Sequence, residues 1–207
     1  VNPICRLTDL AAISRIAHAA GALVSCDNTF ASPIGQTPAA LGVDLVMHSA
    51  TKYLCGHGDA VGGAVAGPAD LIARLRLEAG IHHGGVLSPF NAWLIARGAA
   101  TLPIRMAAHA RGAQAVAEWL ETRETVTRVI YPGLPSHPQH TLAQRQMTNA
   151  SGMMAFQVGD AATGERLAQA MIDRFDFIHY AVSLGQQRTL HYWLGTEGML
   201  AGAFQGR

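Results

Sequence analysis

The chain has 207 residues, of which 49% are hydrophobic and 14% charged, so it holds ample material for a core and is not a disordered segment. Fifteen Lys and Arg against fourteen Asp and Glu leave a net charge of +1, too little to bind a phosphate backbone or an anionic bilayer, and nucleic acid and membrane are excluded as expected partners. The uncharged run Ala79–Ala96 contains His82, His83, three glycines, Pro89 and Asn91, which rules it out as a membrane-spanning helix. Cys5, Cys26 and Cys55 are odd in number and form no C-x-x-C pair, a pattern that suits a reducing, cytoplasmic setting better than a disulfide framework. The first residue is Val1 and no signal peptide follows it, so the sequence reads as a piece of a longer chain.

From Asp9 to Ala20 the apolar residues Leu10, Ile13, Ile16 and Ala17 recur at helical spacing, with Gly21 placed to end the helix and Leu23–Cys26 following as a strand. After the turn-rich stretch with Ser32-Pro33, Gly35 and Pro38, a short helical piece runs through Leu41. Gly42 ends it, and a second strand spans Asp44–His48. Helix alternating with strand predicts an α/β fold with a mostly parallel sheet and crossover helices. A helix is expected over Pro68–Glu78, another from the Ser88-Pro89 cap toward Ala99, and a long one over Ile104–Leu120. Strands near Thr125–Tyr131 and Met153–Val158, a helix through Gln146 and one over Thr163–Ile172 complete a smaller α/β unit. Pro103 is the expected boundary, dividing the chain into 1–103 and 104–207.

In an open parallel sheet the ligand site lies beyond the carboxyl ends of the strands, which directs attention to Asp27 and Lys52. Lys52, in Ser49-Ala50-Thr51-Lys52-Tyr53, is the single lysine of the chain, every other cationic side chain of the Lys/Arg type being arginine. A lysine there is either a solvated surface residue or a Schiff-base nucleophile whose amine attacks a carbonyl. Asp27 is either an Asx-turn residue or the acid that faces a cofactor's pyridine nitrogen. Ser49 and Thr51 flank the lysine on a turn where hydroxyls can bind phosphate, although small hydroxyl residues also serve turns for local backbone reasons. His137 and His140 are close in sequence, yet no four-ligand set is completed near them, and no metal is expected. Hydrolase and P-loop motifs are absent from the sequence.

Several separated segments resemble one family: Asp27-Asn28-Thr29-Phe30-Ala31-Ser32-Pro33, Leu41-Gly42-Val43-Asp44, His48-Ser49-Ala50-Thr51-Lys52-Tyr53-Leu54, Gly56-His57-Gly58-Asp59, Gly84-Gly85-Val86-Leu87-Ser88-Pro89-Phe90, Tyr131-Pro132-Gly133-Leu134 and Ala181-Val182-Ser183-Leu184-Gly185. Together they are similar to the Cys/Met-metabolism family of pyridoxal phosphate enzymes, and the similarity runs over essentially the whole chain. The resemblance implies a fold-type I large domain, represented by its later part in 1–103, followed by part of a smaller C-terminal domain. It implies pyridoxal 5'-phosphate as cofactor, bound covalently by Lys52, with Asp27 at the pyridinium nitrogen and Ser49 and Thr51 at the phosphate. Asn2 matches a residue that contacts cofactor and substrate, and Ser183 one near the substrate carboxylate and the lysine. A homotetramer built from dimers is implied for the complete protein.

The departures from the family pattern also carry expectations. Its upstream phosphate-binding turn, its ring-stacking tyrosine, its Tyr/Arg pair given to a neighbouring subunit and its carboxylate-binding arginine have no counterpart here. Gly58 stands where a serine is usual, and His191-Tyr192-Trp193-Leu194-Gly195-Thr196 replaces a common segment. Members that handle cystathionine often carry glutamate at the position of Val182, where it can pair with a distal ammonium; an apolar residue disfavours burying that charge. The expected reaction is therefore γ-elimination on a sulfur amino acid of the methionine or homocysteine type, releasing a thiol, ammonia and 2-oxobutanoate. The alternatives are γ-replacement on an O-acylhomoserine and a catalytically silent truncated chain.

Overall fold

A computed structural model describes residues 4–195. Helix α1 (Leu10–Ala19) starts where Asp9 accepts a hydrogen bond from the Ala12 N–H at 3.0 Å, satisfying a first-turn donor that the helix itself leaves open. Strand β1 (Ser25–Asp27) begins two residues later than expected, at the first residue that pairs with the neighbouring strand, and it includes Asp27. Helix α2 (Ser32–Gly35) and a 3-10 turn (Pro38–Leu41) lead to Gly42 at φ +89, a left-handed position where a Cβ would also lie 3.0 Å from Ser14 Cβ. Strand β2 (Leu45–Ser49) follows. Leu10, Val24, Val43 and Val46 form the core between α1 and this sheet.

The sheet has the order β1-β2-β3, with β3 spanning Gly63–Ala66. Strands β1 and β2 are parallel, with Asp27 opposite Met47, whereas β3 runs antiparallel to β2 and gives the sheet a mixed character that the sequence pattern did not predict. Gly63-Ala64-Val65-Ala66 has little β-propensity and is exposed throughout; its strand state comes from the open edge of β2.

Helix α3 (Ala69–Leu75) passes into a wide π-type turn (Arg76–His82), so the single helix expected to Glu78 divides. Helix α4 (Pro89–Ala99) is capped by Ser88, which accepts from the Asn91 N–H at 3.2 Å. Helix α5 (Leu102–Glu121) places Pro103 in its first turn, where a missing N–H is tolerated. Leu102 and Met106 pack with Tyr53, so the start of α5 shares a core with the residue next to Lys52. Strand β4 (Val126–Ile130) pairs antiparallel with β5 (Ala155–Val158) over the core of Ala113, Ala117, Leu120, Val129, Tyr131 and Leu134. Helix α6 (His140–Gln146) lies between these strands in the chain, and α7 (Ala161–Arg174) follows them. Two short strands absent from the sequence reading, β6 (Ile178–Tyr180) and β7 (Thr189–His191), pair in parallel and bracket the loop that carries Ser183.

Candidate active site at the carboxyl ends of β1 and β2

Asp27 and Ser49 are the last residues of adjacent parallel strands. Asp27 Oδ1 accepts from the Thr29 N–H at 3.0 Å and from the Thr29 hydroxyl at 2.5 Å. That hydroxyl in turn accepts from the Ser49 N–H at 2.7 Å, so buried Thr29 ties the two strand ends together. The local Asx-turn and an open carboxylate coexist at Asp27: Oδ1 holds the turn, while Oδ2 has no hydrogen-bond partner among the described residues. His48, one residue before Ser49, is buried, which lowers its pKa, with Asp27 opposing the shift.

Lys52 lies in a π-type turn (Ala50–Leu54) that leaves β2 directly, with φ −91 and ψ −127 at the lysine itself. The Cys55 N–H donates to Ala50 O at 2.9 Å and the Gly56 N–H to Lys52 O at 2.8 Å, closing the turn. Lys52 Nζ donates to Ser183 Oγ at 2.5 Å, across 131 positions of sequence. Ser183 has φ +103, a conformation costing a non-glycine residue on the order of 1–3 kcal/mol and held by surrounding contacts. One of those contacts is explicit: Gly185, at φ +84, approaches so closely that a Cβ would lie 2.5 Å from Tyr53 N and 2.7 Å from Lys52 C. Val182, beside Ser183, is 69% exposed.

The two expected phosphate contacts differ. The Ser49 hydroxyl has no partner among the described residues. Thr51 Oγ1 accepts from the Gly62 N–H at 3.0 Å and lies 3.3 Å from Gly62 O as a donor, so its hydrogen is turned toward β3. Asn2 lies outside the described residues. His137 Nδ1 accepts from the Gln139 N–H at 3.1 Å and His140 Nδ1 pairs with Pro132 O at 3.0 Å, which assigns both imidazoles to turn hydrogen bonding. No group of three metal-ligating side chains occurs among the described residues. A groove of about 470 Å³ on α3, lined by Ala69, Ile72, Ala73, Arg76, Leu77 and Ile81, shares no residue with this site.

The lysine amine, the unpaired carboxylate oxygen and the unpartnered Ser49 hydroxyl thus belong to the carboxyl ends of β1 and β2 and the turn after them, a nucleophile, an acceptor and a donor of the kinds that an aldehyde, a protonated ring nitrogen and a phosphate take. The sequence reading missed Thr29 and Arg105, the latter bonded to the carbonyls of Tyr53 and Leu54 directly after the lysine. Thr29 carried a signal, a hydroxyl two residues after an aspartate; Arg105 carried none that sets it apart from the other arginines.

Comparison with known proteins places the chain in a family. Residues 1–193 match the family described as Cys/Met metabolism PLP-dependent enzyme. The chain is 45% identical over 192 residues to O-succinylhomoserine sulfhydrylase of Pseudomonas aeruginosa, covering 91% of this chain and 46% of that protein. It is 44% identical over 192 residues to L-methionine gamma-lyase of Pseudomonas putida, with 91% and 47% covered. The crystal structure of apo CalE6, a methionine gamma lyase from Micromonospora echinospora, superposes with a TM-score of 0.85 at 38% identity, covering 93% of this chain and 51% of that one. The chain spans about half the length of the curated relatives it matches. It belongs to the Cys/Met metabolism family of PLP-dependent enzymes, and its cofactor is pyridoxal 5'-phosphate.

Proposed function

We propose that the complete protein catalyses γ-elimination on a sulfur amino acid of the methionine or homocysteine type, releasing a thiol, ammonia and 2-oxobutanoate. The observation that carries this choice is Val182: an exposed apolar side chain beside the serine that holds Lys52 Nζ. An uncharged neighbour there offers nothing to a distal ammonium and suits a methyl or hydrogen on the leaving sulfur. Similarity to a methionine gamma-lyase supports the reading, and similarity to an O-succinylhomoserine sulfhydrylase supports γ-replacement on an O-acylhomoserine as the alternative.

When bound, the cofactor supplies an electron sink for a carbanion at the substrate's α-carbon. Lys52 is the residue we assign to its aldehyde, Asp27 to its ring nitrogen, and Ser49 to its phosphate. Thr51 joins Ser49 if its hydroxyl leaves Gly62, and Asn2 is assigned to cofactor and substrate. Lys52 Nζ, as a free amine, takes the proton from the substrate's α-carbon and serves as the carrier for the proton lost at Cβ. The sulfur then leaves Cγ with the bonding electron pair and takes up a proton as the free thiol, while water supplies the carbonyl oxygen of 2-oxobutanoate as the nitrogen departs as ammonia. Ser183 Oγ holds Nζ between these positions and faces the substrate carboxylate. Asp27, its Oδ1 pinned by Thr29, keeps its carboxyl group in a fixed orientation at the strand end.

Borohydride reduction of the natural-length protein followed by peptide mapping tests the cofactor assignment, with an adduct expected on Lys52; an adduct elsewhere overturns it. Values of kcat/KM for methionine, cystathionine and an O-acylhomoserine with a thiol test the reaction. Methionine or homocysteine is expected to lead, and Val182→Glu to move the ratio toward cystathionine. Preference for either other substrate overturns the lyase reading, and activity of the natural-length protein with none from the 207-residue chain supports the silent truncated chain. We further propose a homotetramer, tested by sedimentation, and a cytoplasmic location in which Cys5, Cys26 and Cys55 stay reduced, tested by fractionation.

A further inference from the structure

Arg105 is a half-buried cation at the first turn of α5 with no carboxylate partner among the described residues. Its charge is met by oxygen dipoles instead. Nε donates to Thr101 Oγ1 at 3.0 Å, Nη1 to Tyr53 O at 2.8 Å, and Nη2 to Gly98 O at 2.8 Å with a longer contact to Leu54 O at 3.4 Å. Tyr53 and Leu54 are the two residues after Lys52, in the turn whose backbone leaves helical geometry at the lysine. Carbonyls at the end of a helical turn lack intrahelical donors, and a cation is the partner that satisfies them.

Two glycines make this contact possible. A Cβ on Gly56 would lie 2.1 Å from Arg105 Nη1, so the guanidinium occupies the space a side chain would fill, and the φ of +75 there also favours glycine. A Cβ on Gly98 would lie 2.0 Å from Cys55 O, so the end of α4 closes on the same turn. Burial lowers the Arg105 pKa, as it does for a cation withdrawn from water.

We propose that Arg105 is a positioning residue for Lys52: its planar guanidinium locks the backbone just after the lysine and thereby fixes where the lysine side chain leaves the turn. This rests on the assignment of Lys52 to the cofactor. Ser183 restrains the far end of the side chain and Arg105 its base, so the amine is held from both ends. Lysine cannot replace arginine here, because one ammonium does not present the rigid fork that reaches Tyr53, Leu54 and Gly98 together. Misplacing a reacting group by about 1 Å is sufficient to lower a rate roughly a hundredfold.

The test uses the natural-length protein with Arg105→Lys and Gly56→Ala, the second of which forces the guanidinium out from the opposite side. Three readouts are taken: the pH midpoint of the bound cofactor's absorbance, kcat and KM separately, and amide exchange over residues 50–56 in the cofactor-free protein. Both variants are expected to move the midpoint by about half a pH unit or more, to lower kcat roughly ten- to a hundredfold with KM within about threefold, and to speed exchange at Cys55 and Gly56. Should Arg105→Lys fail to fold, Thr101→Val, which removes only the Nε acceptor, is expected to give smaller shifts in the same directions. Unchanged midpoint and kcat, even with a lower melting temperature, overturn the proposal and leave Arg105 a packing residue. Wild-type protein with no adduct on Lys52 fails the cofactor assignment instead, while slow wild-type-like exchange in the variants fails the Arg105 lock independently.

Discussion

At the residue scale, the Thr29 hydroxyl makes two contacts at once: it donates to Asp27 Oδ1 and accepts from the Ser49 N–H. Thr29→Val keeps the shape, leaves that N–H unpaired and frees the carboxylate to rotate. A loss of about 1–3 kcal/mol in urea unfolding is expected, together with weaker cofactor binding in an absorbance titration, and Thr29→Ser is expected to recover most of both. Wild-type behaviour of the valine variant would show that Asp27 is oriented by its turn alone. His48, His109 and His137 supply a pH dependence. Burial lowers each pKa, with Arg105 adding to the effect at His109 and Arg128 and His140 at His137, against opposing shifts from Asp27 at His48 and Cys5 at His137. Below the ordinary value of 6.5 the unfolded chain binds protons that the folded chain refuses, so stability falls as pH drops from about 6.5 through the lowered native values. Asp44, whose pKa is lowered by His18, and Asp160, lowered by Thr163, lose their share only below 3.8, giving a second and more acidic stage. Thermal melts across pH check this, with the first stage shallower in His48→Gln. Lys52 and Asp27 drew attention in the sequence because one is the sole lysine, just past the end of one strand, and the other ends the neighbouring strand; Ser183 was singled out through the resemblance alone, its contact with Lys52 joining distant elements, and Thr29 left only a turn-like signal.

At the element scale, α6 ties down the segment ahead of α1. Gln139 pairs with both backbone groups of Leu7, accepting from its N–H and donating to its C=O, each at 2.8 Å. Gln146 Nε2 donates to Thr8 O at 3.0 Å, and Arg145 Nη2 meets Asp9 Oδ2 at 2.6 Å on the residue that caps α1. Gln139→Leu removes a two-point pairing across 132 positions of sequence and strands both groups of Leu7. A loss of about 2 kcal/mol is expected, with faster exchange of the Leu7 amide; unchanged exchange would show that Gln146 and Arg145 suffice. The long-range nature of this tie explains what the sequence withheld. Helices α1, α4 and α5 were readable from their caps and prolines, because those signals are local. Strands β3, β6 and β7 have three or four residues each, and glycine or alanine dominates β3; only a neighbouring edge makes them strands. The turn at Lys52 reads as a strand-to-loop junction in sequence and becomes helical through Arg105, Gly98 and Gly185, all far along the chain.

At the scale of the molecule, burial is uneven. Val61, Ile81, Val86, Phe90, Trp93 and Ile104 are each more than half exposed, all within 61–104, and no residue of β3 or α3 is buried. By contrast α5 inserts Met106 and Ala117 completely, and Tyr131 and Leu134 close the core beside it. A soluble monomer rarely leaves so many large apolar side chains open in one stretch, and a net charge of +1 offers little repulsion to keep two such surfaces apart. The exposed stretch is also the one that leads from Lys52 to Arg105, so whatever disturbs it disturbs the lysine turn. Expressed by itself, the 207-residue chain is therefore expected to associate with rising concentration, to enhance the fluorescence of an apolar dye, and to hold pyridoxal phosphate more weakly than the natural-length protein. The resemblance adds a reason for the last effect. It implies a phosphate-binding turn and a carboxylate-binding arginine beyond the segments matched here, and charge-assisted bonds of that kind contribute roughly 1.5–3 kcal/mol each. Size-exclusion chromatography over a concentration series, dye titration and cofactor dialysis on both lengths make the comparison. A short chain that stays monomeric, leaves the dye dark and retains cofactor as the long one does would show that the open face between β3 and α4 is compatible with a self-sufficient fold.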